Sequence, residues 1–364
     1  MLLCKITLKL YLAHQKISLM KIRKFTFYLV AMLIIISSCK DDDDSSNVTP
    51  PRDRQEVYDE DIIEIEEYLS THFYNYDEFD FDDPYNVTND TFQIVFDTIA
   101  GDNSDKIPLI DRPELKFKMV TDNEDIEYKL YYLEVRKGGG NVVHFTDRVY
   151  ASYEGFTIPE NTVFDSRVDE IPLSLVSSDL ETGIIQGLAD VMVEFKTSNS
   201  YTENGDGTTQ YHGHGIGTAF IPSGLGYFNT YIPSIGDTYV PLVFKFNLVE
   251  RVVTDHDSDN IFSYMEDIDG NGNIYDDDTD GDNIPDFLDV DDDGDLVLTK
   301  NEIDYATYIV DTNMGETEPV LAENEFEESR TEEAGVITIN TVILTDTNND
   351  GLPDYLDPDT AIED

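Results

Sequence analysis

The sequence predicts an α+β fold, an antiparallel sheet wrapped around a short helix, followed by an acidic tail with little regular secondary structure. Apolar and polar residues alternate around 126–130, 149–153 and 240–248, which is the period of strands with one buried face. Between these strands, apolar residues in 184–195 recur at helical spacing. From position 255 onward the chain holds 35 acidic residues and two basic ones, too dense a charge for an ordinary surface without counter-ions.

Composition narrows the classes of function. The 364-residue chain has a formal net charge of −54, no Trp and two cysteines. Repulsion between carboxylates and phosphates argues against a nucleic-acid partner, and the charge favours cations instead. The two cysteines lie in or beside an N-terminal export segment, so they offer no disulfide framework. The length predicts two or three domains, and we expect a monomer.

The N-terminus is typical of an export signal. Basic residues at 21–24 precede an apolar run over 25–36, and small residues then lead to Cys39. The order Ile36-Ser37-Ser38-Cys39 resembles the lipobox of bacterial lipoproteins, which implies that 1–38 is a signal peptide and that Cys39 is lipidated. A short membrane anchor is the alternative, although the run is too short to span a bilayer comfortably. Met20 is a better start than Met1.

The residues after Cys39 form a tether over 39–54. Lys40 and the four aspartates at 41–44 resemble the export signal of surface lipoproteins in Bacteroidota, and a plain solvated tether is the alternative. Ser, Pro and charged residues continue the linker to position 54. We therefore expect an outer-membrane lipoprotein held by acyl chains and exposed at the cell surface, with the periplasmic face as the other possibility.

The mature chain begins with an accessory segment, 55–122. Ile62, Ile65, Leu69 and Phe73 fall at helical spacing and predict a short amphipathic helix over 55–74. The rest of the segment shows no clear period and is left unassigned. The α+β domain is expected over 123–253.

Four blocks and a closing strand in this domain carry a family resemblance. Tyr153-Glu154-Gly155, Val163–Ser166, Gly183–Leu188 and Ile221–Tyr227 occur in order, and the strand at 242–244 follows them. Together they resemble the FKBP-type peptidyl-prolyl cis-trans isomerases over about a third of the chain. With the lipobox, the set is similar to gliding-motility-associated isomerase lipoproteins of Bacteroidota.

The resemblance implies an isomerase that acts on proline-containing exported polypeptides and needs no cofactor for catalysis. It implies that the backbone N–H of Ile185 and the hydroxyl of Tyr227 hold substrate carbonyls, while Asp165 polarises the twisted amide. Rotation about an X-Pro bond breaks no covalent bond, so a dry aromatic pocket with fixed donors suits the chemistry. The implied pocket lining is Tyr153, Phe164, Leu173, Ile184, Ile185, Leu188, Tyr227 and Phe244.

Two positions depart from the family pattern. Leu188 stands where the family usually has Trp, and Leu173 occupies an aromatic wall position. Leu188 and the His-rich insertion at 198–217 favour an alternative function, a non-catalytic FKBP-like binding module or a calcium-stiffened adhesion protein. An insertion at 198–217 contains His212-x-His214, for which a mobile loop is preferred to a metal site.

The acidic tail repeats a metal-ligand pattern. Oxygen ligands at positions 1, 3 and 5 of a loop, a turn residue at 6 and an acid at 9 or 12 suit a hard cation such as calcium. The spacing resembles thrombospondin type 3 repeats more than EF-hands, because flanking helices are missing; a disordered acidic tail is the alternative. The expected ligands are Asp255, Asp257, Asp259 and Glu266; Asp267, Asp269, Asn271 and Asp278; Asp280, Asp282, Asp286 and Asp289; Asp291 and Asp293; and Asp346, Asn348, Asp350, Asp354 and Asp357.

Several expectations concern how the tail is organised. The calcium-binding repeats should occupy 255–302, a linker or strand pair 303–345, and a last, separate loop 346–357. Asp278 and Asp289 should each serve two neighbouring loops. In the fourth loop, which begins at Asp289 in this interpretation, Lys300 falls where the closing acid is needed. The isomerase domain should be indifferent to calcium, because no pocket residue lies in the tail.

Overall fold

The computed structural model describes residues 50–178 and 181–360. The residues from Arg52 onward belong to one compact unit. The signal peptide, Cys39 and most of the tether lie outside the described residues. Within them, no helix is long and apolar enough to cross a bilayer.

The predicted N-terminal helix is present as α1 (Arg54–Thr71). It begins where the carboxylate of Asp53 accepts the backbone N–H of Glu56 at 3.0 Å, a typical N-cap. It ends two residues before Phe73, which lies instead in β1 (His72–Tyr74). That short strand pairs with β2 (Phe96–Thr98).

The centre of the molecule is a six-stranded antiparallel sheet in the order β3-β4-β9-β10-β5-β6. A hairpin of β7 and β8 projects from it, and the helix α2 lies against it. The bounds are β3 (Leu115–Thr121), β4 (Glu127–Arg136), β5 (Arg148–Thr157), β6 (Val163–Ser174), α2 (Gln186–Met192), β7 (Ser200–Glu203), β8 (Thr209–His212), β9 (Gly215–Ile221) and β10 (Leu242–Val252).

The two faces of this sheet are both covered, which explains the alternation in β10. Phe244 and Phe246 point into the core that contains Leu188 of α2. Val243, the residue before Phe244, points into the core that contains Ile65 of α1. The predicted α+β fold, an antiparallel sheet around a short helix, is confirmed.

The accessory segment is part of this domain and does not precede it as a separate piece. β3 pairs along its whole length with β4, so the expected boundary at 122/123 falls between two adjacent strands of one sheet. β3 is an edge strand with mostly exposed or half-buried side chains. Its sequence therefore lacks the apolar alternation that would have revealed it.

The stretch 303–345 was expected as a linker, but it forms a three-stranded antiparallel sheet in the order β11-β13-β12. Its strands are β11 (Ile303–Asp311), β12 (Glu325–Glu333) and β13 (Val336–Leu344). Only the strand pair around 336–344 was considered from the sequence, because β12 is almost entirely charged.

The last loop, expected to stand apart, is joined to the rest of the tail. Tyr355 from that loop packs in one apolar cluster with Ile261 of the first loop, Ile303 of β11 and Val342 of β13. The sequence separates these residues by up to 94 positions, and only the fold brings them together.

The tail also contacts the α+β domain directly. Val176 and Phe145 of the domain share a small core with Ile274 and Phe287 of the tail. The hydroxyl of Tyr275 accepts the backbone N–H of Ser177 at 2.8 Å and donates to its carbonyl at 2.9 Å. The α+β domain was expected to be indifferent to calcium binding by the tail, but these contacts join the two directly.

Candidate active site and carboxylate loops

Four aromatic rings pack together in the cluster that contains Leu188 of α2. The ring of Phe164 meets Phe244 edge-on at 5.5 Å between centroids and Tyr227 at 6.5 Å. The ring of Tyr153 lies 5.9 Å from Phe244. Gly155 makes this packing possible, because a Cβ there would lie 2.7 Å from Phe244 Cε1 and 2.9 Å from Phe164 Cζ.

Asp165 lies beside these rings and is held in place from two sides. The Tyr153 hydroxyl donates to its Oδ2 at 2.7 Å, and Arg167 donates to its Oδ1 at 2.8 Å. Burial, followed by the hydrogen bond to Asp165, raises the pKa of Tyr153 to about 12, so Tyr153 remains the donor. Burial and the charge of Asp165 also raise the pKa of Tyr227. The Asp165 carboxylate is thus held by hydrogen bonds from Tyr153 and Arg167 beside the aromatic cluster.

The segment before α2 packs against the same cluster as these rings. The backbone N–H of Ile184 donates to the carbonyl of Ser174 at 3.0 Å, and Ile185 is the N-cap residue of the helix. Among the described residues, the N–H of Ile185 has no hydrogen-bond acceptor. Leu188 is buried beneath, in the core that also contains Leu173. All eight expected lining residues therefore belong to one cluster or pack against it.

The loop that carries Tyr227 is positioned by α1, which the sequence did not suggest. The carboxylate of Asp61 accepts the backbone N–H of Ser223 at 2.7 Å and its hydroxyl at 2.6 Å. Arg54 donates to the carbonyl of Gly224 at 3.1 Å. The available signal was an acidic residue on the otherwise apolar face of α1, since Asp61 is only 3% exposed.

The insertion at 198–217, expected as a loop, contains the antiparallel hairpin of β7 and β8. His212 in β8 contacts Asp90 through Nδ1 at 2.9 Å, and Asp90 also pairs with the buried Arg136. The His214 side chain is buried, and burial lowers its pKa to about 4. The two histidines therefore belong to the packing of the hairpin, and neither lies in a described carboxylate cluster.

The acidic tail contains five loops with a common backbone frame. In each, the first carboxylate accepts the backbone N–H of the residue five positions later, which closes the turn. These bonds join Asn260 to Asp255, Gly272 to Asp267, Asn283 to Asp278, Leu296 to Asp291 and Gly351 to Asp346 at 3.0–3.1 Å.

The fourth loop begins at Asp291 and not at Asp289, which corrects the predicted register. A second marker agrees: in four loops the side chain at position 9 accepts the N–H at position 2, and here Thr299 accepts from Asp292 at 3.3 Å. Position 12 of this loop is then Glu302, an acid, and Lys300 no longer occupies the closing position. The sequence offers two overlapping Asp-x-Asp-x-Asp runs here, and Gly294 favoured the wrong one.

Four groups of carboxylates bring oxygen atoms within 4.8 Å of one another in the described residues. Three lie within single loops, and one joins two loops. The groups are Asp257, Asp259, Glu266 and Asp292; Asp267, Asp269 and Asp277; Asp278, Asp280 and Asp282; and Asp291, Asp293 and Asp295.

These groups revise the expected ligand sets. Asp277 and not Asp278 completes the second loop, so the idea that Asp278 serves two loops is not supported. Asp289 lies near the third loop, where Asp282 and Asp280 add to burial in raising its pKa. The fifth loop forms no such group, and the Asn348 amide instead donates to Asp357 at 2.8 Å. The carboxylates that these groups add to the expected sets are Asp277, Asp292 and Asp295.

Many carboxylate oxygens in these loops are buried without a hydrogen-bond donor. In Glu266, Asp292 and Glu302, both carboxylate oxygens are buried and have no hydrogen-bond donor. Burial, then neighbouring carboxylates, raises the pKa of each of these three acids. Buried carboxylates without partners are costly, and a bound cation removes that cost.

Comparison with known proteins gives one family model, described as BamM C-terminal, which matches residues 256–320. The match covers the first four loops and part of the small sheet, a minor share of the chain. No curated protein matches this chain.

Solved structures similar to this chain include several isomerases and FKBP domains. A peptidyl-prolyl cis-trans isomerase from Pseudomonas syringae pv. tomato is 19% identical over 39% of this chain and 83% of that chain, with a TM-score of 0.28. FkpA from Escherichia coli is 22% identical over 39% of this chain and 53% of its own, with a TM-score of 0.28. The N-terminal domain of FKBP42 from Arabidopsis thaliana is 15% identical over 38% of this chain and 92% of that chain, with a TM-score of 0.27. At these values the likeness says nothing about activity.

Proposed function

We propose that this chain is a peptidyl-prolyl cis-trans isomerase of the FKBP type that assists the folding of exported proteins. The observation that carries the proposal is the fixed carboxylate of Asp165, held by the Tyr153 hydroxyl at 2.7 Å beside the rings of Phe164 and Phe244. The uncatalysed rotation is slow because amide resonance gives a barrier of about 18–20 kcal/mol.

The pocket residues suit that barrier. Twisting the X-Pro amide removes its resonance, and an aromatic surface stabilises the less polar twisted form by excluding water. The free N–H of Ile185 and the hydroxyl of Tyr227 then hold the flanking carbonyls, and Asp165 acts on the amide electrostatically. No group transfers a proton or forms a covalent bond, so the pocket requires no cofactor.

The test is an isomerisation assay with proline peptides on the full chain. Asp165→Ala and Tyr227→Ala should each lower kcat/KM by at least about tenfold, in line with the removal of one preorganised polar group. Asp169→Ala, an exposed acid on the same strand, is the matched control and should leave the rate unchanged. A wild-type rate equal to that of the uncatalysed reaction rejects the proposal.

The alternative is a non-catalytic binding module, which Leu188 and Leu173 favour because they reduce the aromatic surface of the pocket. It predicts that the wild-type chain binds proline peptides, with Tyr227→Ala weakening the binding, but does not accelerate isomerisation. The same peptides therefore distinguish the two functions when binding and rate are measured together.

We further propose that the tail binds calcium as a structural ion. Oxygen-only ligand sets, repeated twelve-residue loops and unpartnered buried carboxylates support this. Calorimetry on the full chain should show heat of binding at up to millimolar calcium, and its absence rejects the proposal. A calcium-stiffened adhesion protein is the companion interpretation if isomerase activity is absent.

The proposed location is the outer membrane, with Cys39 as the lipidated residue and exposure at the cell surface. The support is the lipobox and the acidic residues that follow it. A fatty-acid probe should label the wild-type chain, and equal labelling of Cys39→Ser contradicts the proposal. The proposed clients are proline-containing exported polypeptides.

A further inference from the structure

The most deeply buried group of acids in the tail is shared between two loops. Asp257, Asp259 and Glu266 come from the first loop, and Asp292 comes from the fourth. Glu266 is fully buried, Asp259 is 1% exposed and Asp292 is 2% exposed. The other described groups each come from one loop, and the ligands of the third loop are largely exposed.

Most carboxylate oxygens of this group have no hydrogen-bond partner. Neither carboxylate oxygen of Glu266 or Asp292 has a hydrogen-bond donor, and Oδ2 of Asp259 has none either. Four carboxylates whose oxygens lie within 4.8 Å repel one another strongly at low dielectric. Backbone N–H groups reach only Oδ1 of Asp257 and Oδ1 of Asp259, so a bound cation would relieve the repulsion among the remaining oxygens.

Asp292 is oriented for this role by its place in the fourth loop. Residues at positions 1, 3 and 5 of such a loop converge on the loop's own ion, whereas Asp292 occupies position 2. Its backbone N–H is held by the Thr299 hydroxyl at 3.3 Å, which fixes the turn. The side chain leaves the fourth loop and reaches the ligands of the first.

We propose that Asp257, Asp259, Glu266 and Asp292 form an inter-loop calcium site that links the first loop to the fourth and controls the folding of the tail. The inference rests on the proposed calcium function and adds to it a site that a single loop cannot form. Carboxylates without His or Cys ligands select a hard cation, and the mixed origin of the ligands suits the flexible coordination of calcium better than the strict octahedron of magnesium.

The test compares three variants of the full chain, with calcium titrated by calorimetry and unfolding followed by heat. Asp292→Asn keeps the shape of the side chain and removes one buried charge. Asp304→Asn makes the same chemical change at an exposed position outside every loop. Asp282→Asn removes an exposed ligand of the third loop.

The expected result is a reversal of sign. Without calcium, Asp292→Asn should unfold at a higher temperature than wild type, because one repelling charge is gone. With calcium it should unfold at a lower temperature and lose one ion, or bind it at least about tenfold more weakly. Asp304→Asn should match wild type in both conditions. Asp282→Asn should weaken the binding of one calcium ion, with little change in unfolding temperature.

Two outcomes overturn the proposal. Calcium binding by Asp292→Asn with wild-type stoichiometry and affinity shows that Asp292 is no ligand. Lower stability of Asp292→Asn without calcium shows that the carboxylate serves a contact within the protein. In either case the single-loop sites can still bind, whereas a wild-type chain that binds no calcium at all rejects the wider calcium function.

Discussion

Asp61 and Ser223 lie 162 residues apart, and the Asp61 carboxylate accepts both the backbone N–H and the hydroxyl of Ser223 at 2.7 and 2.6 Å. The pair connects α1 to the loop that carries Tyr227. The N-terminal segment therefore supports the candidate active site as well as covering the sheet.

This pair predicts a specific pH dependence. Burial raises the pKa of Asp61 to about 6, against about 3.9 in an unfolded chain. The folded state then binds a proton at Asp61 more tightly than the unfolded state does. The stabilisation that comes from protonated Asp61 is fully present below about pH 4 and is lost as pH rises through 6. The loss is at most about 3 kcal/mol of unfolding free energy.

The measurement is chemical unfolding of wild type and Asp61→Asn between pH 4 and 7. As pH rises, the wild type should lose unfolding free energy relative to Asp61→Asn, because Asn cannot ionise. Asp169→Asn serves as the control at an exposed site. A difference that stays constant across this range contradicts the assignment.

Tyr153→Phe should separate the hydroxyl of that residue from its ring. Phe retains the packing against Phe244 but cannot donate to Asp165. We expect kcat/KM for proline peptides to fall about two- to tenfold, the equivalent of one hydrogen bond. Tyr150→Phe in the same strand lies outside the aromatic set and should not change the rate. Equal effects of both substitutions would show that Asp165 needs no partner.

Gly155→Ala should disturb the pocket by steric overlap. The new methyl group would lie 2.7 Å from Phe244 Cε1, so the ring must move. We expect a loss of about 1–3 kcal/mol in stability together with reduced isomerisation. Gly205→Ala is the matched control, since no atom lies within 4 Å of its Cβ position. Unchanged activity and stability would contradict the ring positions described above.

The corrected register of the fourth loop gives a test of its own. Glu302→Gln should weaken one calcium site by about tenfold or more, whereas Lys300→Gln should leave that site unchanged. If the loop began at Asp289, position 12 would be Lys300, which cannot ligate calcium. Glu302→Gln would then leave the site unchanged, and Lys300→Gln would strengthen it by removing a positive charge. Calorimetric titration of both variants decides between the registers.

Tyr275→Phe should loosen the contact between the tail and the domain. The substitution removes both hydrogen bonds to the backbone of Ser177. We expect faster amide exchange in 174–178 and in 274–276, while exchange in β9, at the centre of the sheet, stays slow. Calcium removal from wild type should produce the same local change. If exchange in these segments is the same in wild type with calcium, in wild type without calcium and in Tyr275→Phe, the contact does not contribute to stability.

The sequence alone predicted strands β4, β5 and β10 of the sheet, and it named the eight residues that cluster around Leu188. Leu242, Phe244, Phe246 and Leu248 alternate because one side of β10 faces the core with α2, and such a period is visible without coordinates. The acidic loops are equally visible, because metal ligands at positions 1, 3 and 5 are local in sequence.

Only the tertiary structure decided the relationships between distant segments. Asp292 joins the ligands of the first loop, Asp61 holds Ser223, and the charged strand β12 completes a sheet that its composition conceals. Such pairings arise when chain segments pack together to bury apolar surface, and the residues that meet carry no local period. The register of the fourth loop was predicted wrongly for a different reason, since two overlapping aspartate runs fit the pattern and the hydrogen bonds within the loop selected the other one.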